Sequence, residues 1–451
     1  MVSDILTIKD LFLAPILVFI LYRITIWRRN SKYAHTPLAK YMVPALTVRI
    51  VGNFLAALMY QYYYGHGDTF AYYTGATGIW EAFLFNPSVG LEMIFGNPEN
   101  FSLDARLFAH SHLYYSATSW PIRIGASIGL FFFNTYLCIA FIITFFVFIS
   151  AFRMFRVFYE LYPHLERYIA FSTLFIPSVF FWGTGLQKDS IALAALGFLT
   201  HSSYMAFIKK QKVVPSLFII FACLYLLANI RPYVLIAFLP ALAFWVFFSN
   251  RDRIASPILR FFAGPLLLGL GAFMSYFIFQ YIGSQYQAFN LDNVAYTAKI
   301  VSDYNLAQSI EQGGSYYQLD FEPTLQGLIS IFPQAVNVTL FRPYIWEIRK
   351  VILLPSVIES FLNLSITLIL IVRIGPVKIF RYLVSEPTVT FCLIFAIIFA
   401  FAVGFGTANF GALARYKIPA LPFYAVALSI LWSKQRSFQE KNEPSFSYTP
   451  S

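Results

Sequence analysis

Unbroken apolar runs of spanning length recur along this chain, and they restrict its fold more than any other feature. A helix crossing a bilayer needs about 20 mostly apolar residues, because no water is present to satisfy its backbone. By that measure spanning helices are expected near 11–27, 41–61, 125–152, 169–186, 190–208, 213–230, 232–249, 261–282, 352–372, 388–407 and 418–433, about eleven in all. Composition agrees. Hydrophobic residues make up 59% and charged residues 12%, too few charges to solvate a soluble surface, since an ordinary soluble domain is roughly 25% charged overall. A soluble enzyme, a disordered chain and a disulfide-stapled secreted domain are excluded. An outer-membrane barrel would alternate apolar and polar residues, and these runs do not. The chain reads as an all-α polytopic membrane protein, a single transmembrane domain over 1–433 followed by a polar tail, 434–451, expected to be unstructured and cytoplasmic.

The net charge of +11 requires no nucleic-acid partner, because cytoplasmic loops of membrane proteins collect Lys and Arg. The clusters Arg28/Arg29/Lys32/Lys40, Arg153/Arg156/Arg167, Lys209/Lys210/Lys212, Arg251/Arg253/Arg260, Arg373/Lys378/Arg381 and Lys434/Arg436/Lys441 all fall on one side of an alternating path. That side is expected to be cytoplasmic, with the N-terminus outside. Arg349/Lys350 and Arg415/Lys417 are exceptions to the rule. The first run has no basic region before it and no small-residue cleavage site, so it reads as a retained span. Cys138, Cys223 and Cys392 lie inside apolar runs as small core residues.

Two long segments, 62–124 and 283–350, face the other side and are rich in Tyr, Phe, Asp, Glu, Asn and Gly. Loops of this length are functional or disordered, and their aromatic content favours folded caps with interfacial stretches at Ile79–Phe85 and Leu325–Val338. The first contains GHGDTFAYY, Gly65–Tyr73, in which Asp68 can take a proton from a hydroxyl nucleophile, with His66 beside it, or can cap a helix beginning at Thr69. A Gly-rich turn, WGTGLQKDS, places Lys188 and Asp189 where two spans meet. They can cap the next helix or form a charged site. Arg231, Arg342 and Arg415 fall at outer boundaries, against the positive-inside trend, and guanidinium is a natural bidentate partner of phosphate. Snorkelling, or pairing with Glu347 or Glu359, is the structural alternative. His110 and His112, with Asp104 nearby, alternate as a metal pair would but lack a third ligand; His110 is a reserve base. Arg49, inside the second span, snorkels or pairs within the bundle. No P-loop, dinucleotide fingerprint, zinc-protease spacing or nucleophile elbow is present.

The segments GDTFAYY, WGTGLQKDS, LFRPYIWE and ANFGALARYKIPALPF, spread over roughly residues 50–432, resemble those of GT-C class polyprenyl-phosphate-sugar glycosyltransferases and of the related oligosaccharide repeat-unit polymerases. The resemblance implies a GT-C-like fold in an inner membrane, with Asp68 as the catalytic acidic residue of the first outer loop, the base that takes the acceptor proton, and Lys188, Arg231 and Arg415 on the lipid-linked phosphate. Arg342 joins them as an outward arginine, and His66, Asp189, Glu347, Tyr416 and Lys417 are supporting candidates. The class often carries a second acidic residue beside the first; Glu81, Glu92 and Asp104 form no clear pair with Asp68, which leaves a divalent metal open. No large C-terminal soluble domain follows, which disfavours a protein acceptor. The implied partners are a polyprenyl-linked sugar donor, membrane lipids, and a glycan or lipid acceptor. A glycolipid flippase using the same arginines, or an assembly subunit without turnover, are the rival expectations.

Overall fold

A computed structural model describes residues 4–115, 119–253 and 294–442, with single positions between 266 and 280. Among the described residues the chain is helical throughout, and its one β pairing is an isolated bridge between Tyr316 and Asn409. Helices α1 (Ile8–Arg28) and α2 (Ala39–Met59) each continue into a π-helical turn. The first long segment then folds as α3 (Asp68–Phe85), α4 (Pro87–Phe95), α5 (Leu103–Leu107) and α6 (Trp120–Gly129). After α7 (Tyr136–Leu161) come α8 (Glu166–Leu174), α9 (Pro177–Trp182), α10 (Lys188–Ser203), α11 (Val213–Ile230) and α12 (Pro232–Asn250). The second long segment holds α13 (Val294–Glu311), α14 (Leu325–Ser330) and α15 (Phe332–Phe341). The chain then runs through α16 (Leu354–Ile374), α17 (Pro376–Ser385), α18 (Pro387–Thr407), α19 (Phe410–Tyr416) and α20 (Ala420–Asn442).

Among the described residues, eight helical stretches are long and apolar enough to cross a membrane: Ile8–Tyr33, Ala39–Tyr64, Tyr136–Leu161, Lys188–Ile208, Val213–Ile230, Pro232–Asn250, Val351–Ile374 and Pro387–Thr407. Each answers to an expected run, so the chain is an α-helical multi-pass membrane protein. The third starts later than the 125–152 expected. There α6 ends at Gly129 and the chain turns through Phe133 and Asn134, both at positive φ, before α7 begins.

The remaining three expected runs behave differently. The run at 169–186 is broken into α8 and α9, because Ile176, held extended before Pro177, interrupts the helix. Arg49, fully buried in α2, donates from Nη1 to the Leu174 carbonyl at 2.9 Å and so satisfies part of the frayed end. The run at 418–433 belongs to α20, which continues to Asn442 as helix where an unstructured tail was expected from residue 434; Lys434 is held there by an ion pair with Glu386. Nearly all of 261–282 lies outside the described residues, as do 283–293 and 443–451.

The core is built by α7 and α10, which pack so closely that a Cβ on Gly197 would lie 2.2 Å from Ser150 Oγ. Small residues let helix backbones approach where no hydrophobic drive separates protein from lipid. The two ends of the bundle hold separate sets of ion pairs. One carries Lys40–Glu166 at 2.5 Å, Arg156–Glu160 at 3.3 Å and Lys209–Glu160 at 2.6 Å. The other receives the two long segments and the Asp68 region.

Candidate functional site

The site is assembled from helix ends. Gly67, at φ 127, occupies the N-cap of α3, so Asp68 is the first helical residue and makes no cap hydrogen bond. The expectation that Asp68 caps a helix starting at Thr69 is corrected: its carboxylate turns outward to Arg415. Thr69 beside it shares a 2.9 Å hydrogen bond with the Tyr136 hydroxyl, which ties the start of α3 to the start of α7.

Lys188 and Asp189 open α10, and the preceding turn sets their position. Gly185 has φ 78 and its N–H donates to Thr144 Oγ1 at 3.0 Å; a Cβ there would lie 2.8 Å from Asn53 Oδ1. Only glycine combines that conformation with that contact. Arg231 lies in the junction between α11 and α12, where Pro232 begins the new helix. Arg415 sits near the end of α19, whose N-cap Asn409 accepts from Ala412 N–H at 2.9 Å and donates to Ser309 Oγ at 2.7 Å. The bridge at Tyr316 and the Phe410 N–H bond to the Ser315 carbonyl, 3.0 Å, fasten α19 to the second long segment.

These four segments converge on one charged cluster. Arg415 Nη2 lies 3.0 Å from Asp68 Oδ2, and its Nε lies 3.2 Å from Asp189 Oδ2, an ion-pair distance without hydrogen-bond alignment. The Tyr60 hydroxyl accepts from Arg415 Nη1 at 3.2 Å. The other Asp189 oxygen lies 2.7 Å from Arg231 Nη2. The Tyr416 ring is shared by both guanidiniums, 4.7 Å from Arg231 and 5.0 Å from Arg415. Lys188 Nζ stands over the Tyr72 ring at 5.7 Å and, among the described residues, has no carboxylate within 4.0 Å.

Burial divides the two acids. The Asp189 side chain is 4% exposed and that of Asp68 is 50% exposed. Asp189 is therefore the inner counter-ion, at a helix N-terminus that also favours negative charge, while Asp68 is the carboxylate that an incoming group can reach. Burial opposes the charge of Arg231, but Asp189 outweighs it and holds the guanidinium above its ordinary value. Arg415 is raised likewise, burial being outweighed by Tyr416, Asp189, Tyr60 and Asp68. Burial also pushes the Tyr72 hydroxyl up, so it stays neutral. Three cations, Lys188, Arg231 and Arg415, face two carboxylates, which leaves one positive charge in excess.

The other candidates lie outside this cluster. Arg342 Nε donates to Glu347 Oε1 at 2.9 Å, with the rings of Tyr317, Tyr344 and Phe410 within 6 Å of the guanidinium. No hydrogen bond or ion pair joins that guanidinium to the Asp68 cluster. Lys417 is fully buried, donating to Ser360 Oγ at 2.9 Å and toward the Arg342 carbonyl at 3.4 Å, so it braces the chain instead of facing solvent. Glu359 accepts from Ser178 Oγ at 3.0 Å. His66 is exposed and bonded to the Tyr64 carbonyl, and His110 pairs with Glu81 at 2.7 Å. The side chain of His112 lies outside the described residues. Among the described residues, no three His, Cys, Asp or Glu side chains converge as metal ligands would.

Tyr60, Tyr72 and Tyr233 are the site residues that sequence reasoning passed over, since interfacial tyrosines read first as an aromatic belt. Asn-Ile-Arg231-Pro-Tyr233 carried the one local hint, an arginine two positions from the ring it stacks on at 5.7 Å. Compared with protein-family models, with curated proteins and with solved structures, the chain matches none.

Proposed function

We propose that the chain is an integral membrane glycosyltransferase of GT-C-like type, which moves a sugar or oligosaccharide from a polyprenyl phosphate or diphosphate carrier to a hydroxyl acceptor. Supporting this reading above all is the convergence of Lys188, Arg231 and Arg415 with a half-exposed Asp68 at the ends of apolar helices. An excess of positive charge beside lipid-facing helices suits a phosphate whose carrier stays in the bilayer, and a lipid donor needs no nucleotide motif. In the reaction the acceptor oxygen bonds to the anomeric carbon while the bond from that carbon to the phosphate oxygen breaks. The phosphate leaves with the electron pair, and the three cations stabilise its growing charge. Asp68 receives the acceptor proton. Asp189 keeps Arg231 and Arg415 in place without contacting substrate.

The test is release of free carrier phosphate by purified protein in nanodiscs given a polyprenyl-linked donor and a glycan acceptor. Asp68→Asn should accumulate normally, bind donor, and lose roughly 10²–10⁴ in turnover. Turnover near wild type in that variant removes Asp68 from the mechanism. Movement of glycolipid across vesicles by wild-type protein, without carrier release, replaces the enzyme reading with a flippase.

A further inference from the structure

At the opposite end of the bundle from the Asp68 cluster, α1, α7, α10 and α11 line a cavity of about 270 Å³. Its rim is cationic. Arg28, Lys32, Arg153, Arg156 and Lys212 line it, and among the described residues no Asp or Glu does. Glu160 pairs with Arg156 at 3.3 Å and with Lys209 at 2.6 Å. Among the described residues, Arg28, Lys32, Arg153 and Lys212 have no carboxylate within 4.0 Å. The wall deeper in the bundle is apolar, built by Phe145 and Phe148 on α7 and Ile219 on α11. Between rim and wall, His201 Nδ1 is buried without a hydrogen-bond partner, and Ser202 Oγ on the same turn is likewise unpartnered.

A ring of like charges around a partly enclosed space is unfavourable unless an anion joins it. Buried polar atoms left unpaired carry a further cost, which an acceptor oxygen or a water would relieve. The cavity is separate from the Asp68 cluster. Lys188 and His201 are 13 residues apart on α10, about 20 Å of helix. Lys212 and Arg231 flank α11 at its two ends, roughly 29 Å apart along the helix. One phosphate cannot serve both places.

We propose that this cavity holds the phosphate headgroup of an anionic phospholipid, with the first methylenes of its chains against Phe145 and Phe148. Basic pockets between transmembrane helices recognise such headgroups by charge, while the apolar wall selects for an attached chain over a free anion. Arg153 and Arg28 supply planar donors to the phosphate oxygens. Lys32 and Lys212, whose side chains reach solvent, draw the headgroup in. The inference does not depend on the glycosyltransferase reading.

Native mass spectrometry of the purified full chain in detergent tests it, with dioleoyl phosphatidylglycerol, dioleoyl phosphatidylcholine or inorganic phosphate added. Wild-type protein should retain one phosphatidylglycerol in preference to phosphatidylcholine, and millimolar phosphate should not displace it. The pair Lys32→Gln and Lys212→Gln should weaken retention roughly 10- to 30-fold, since each basic residue near a lipid surface contributes a small, additive attraction. Arg167→Gln with Arg381→Gln, an equal loss of charge at exposed positions outside the cavity, should change it less than about twofold. Arg153→Gln should also lose the lipid, which guards against a misfolded double variant. Equal retention of both lipids, or equal loss in the two double variants, overturns the proposal. Competition by inorganic phosphate at concentrations comparable to the lipid assigns the cavity to a free anion and overturns it too.

Discussion

The two carboxylates on Arg415 should separate stability from turnover, and their burial sets the sizes. Asp189 is nearly inaccessible and lies between Arg231 at 2.7 Å and Arg415 at 3.2 Å. Neutralising it leaves two largely buried guanidiniums without their common counter-ion. Removing one member of a buried ion pair costs about 3–5 kcal/mol, chiefly through the stranded partner. Asp68 is half exposed, its 3.0 Å pair with Arg415 is screened by water, and Arg415 keeps Asp189, Tyr60 and Tyr416 when it goes. Such a pair is worth about 0–1 kcal/mol. Equilibrium unfolding of purified protein in mixed detergent–SDS micelles should therefore place Asp189→Asn about 2 kcal/mol or more below Asp68→Asn. Carrier release should fall in both. Adding Arg231→Gln to Asp189→Asn should recover part of the lost stability, because one stranded charge is removed with it. Equal destabilisation by the two single variants, or no recovery in the double, would refute the division into inner counter-ion and reachable carboxylate.

Three further outcomes are expected. Gly185→Ala should destabilise by about 1–3 kcal/mol, the scale of a residue forced into a left-handed conformation, and adding Asn53→Ala should relieve the steric part only; full stability in the single variant would show the turn to be pliable. Burial lowers the Lys417 ammonium to about 8, with Glu359 pulling the other way. The unfolded chain then binds that proton more tightly, so stability rises with pH above about 8 and the penalty is constant below it. Relative to Lys417→Met, wild type should gain on the order of 2 kcal/mol between pH 7.5 and 9.5 in thermal unfolding, and a loss or no change contradicts the burial argument. Accessibility reporters at Asn97 and Gly313 should label from one compartment and one at Gln211 from the other, with Gln211 cytoplasmic if the basic clusters obey the positive-inside rule; labelling of all three from one side would break the two-ended arrangement.

Apolar runs marked seven of the eight spanning-length helices closely, and the third with a shifted start, because a bilayer imposes length and hydrophobicity on each helix separately. Arg231 and Arg415 stood out for a similar reason, as charges on the unexpected side. Their partners were less visible. Asp68 lies 347 residues from Arg415, and locally its sequence fits a helix cap as well as an ion pair. The break at 174–177 had one local sign, Pro177, but the run around it is apolar enough to pass for a span. What satisfies the break is Arg49, on another helix. Past the expected span α20 is joined to the rest of the bundle by the Lys434–Glu386 ion pair, which no local pattern announces.

Arg49 has a consequence for the order of synthesis. A guanidinium at mid-helix makes insertion of its own segment less favourable by roughly 2.5–3.5 kcal/mol. The carbonyls of Thr173 and Leu174 that receive it are made 124 and 125 residues later. At translation rates of about 5–20 residues per second, they emerge some 6–25 s after it. Through that interval Arg49 has the Ala45 carbonyl of its own helix but not its acceptors on α8, so the second helix is best accommodated near the interface or against the insertion machinery. Arg49 gains its full set of acceptors when α8 arrives, one helix bringing the donor and the other the orphaned carbonyls. Arg49→Leu should let the second helix settle early while leaving the break at 174–177 without its cap.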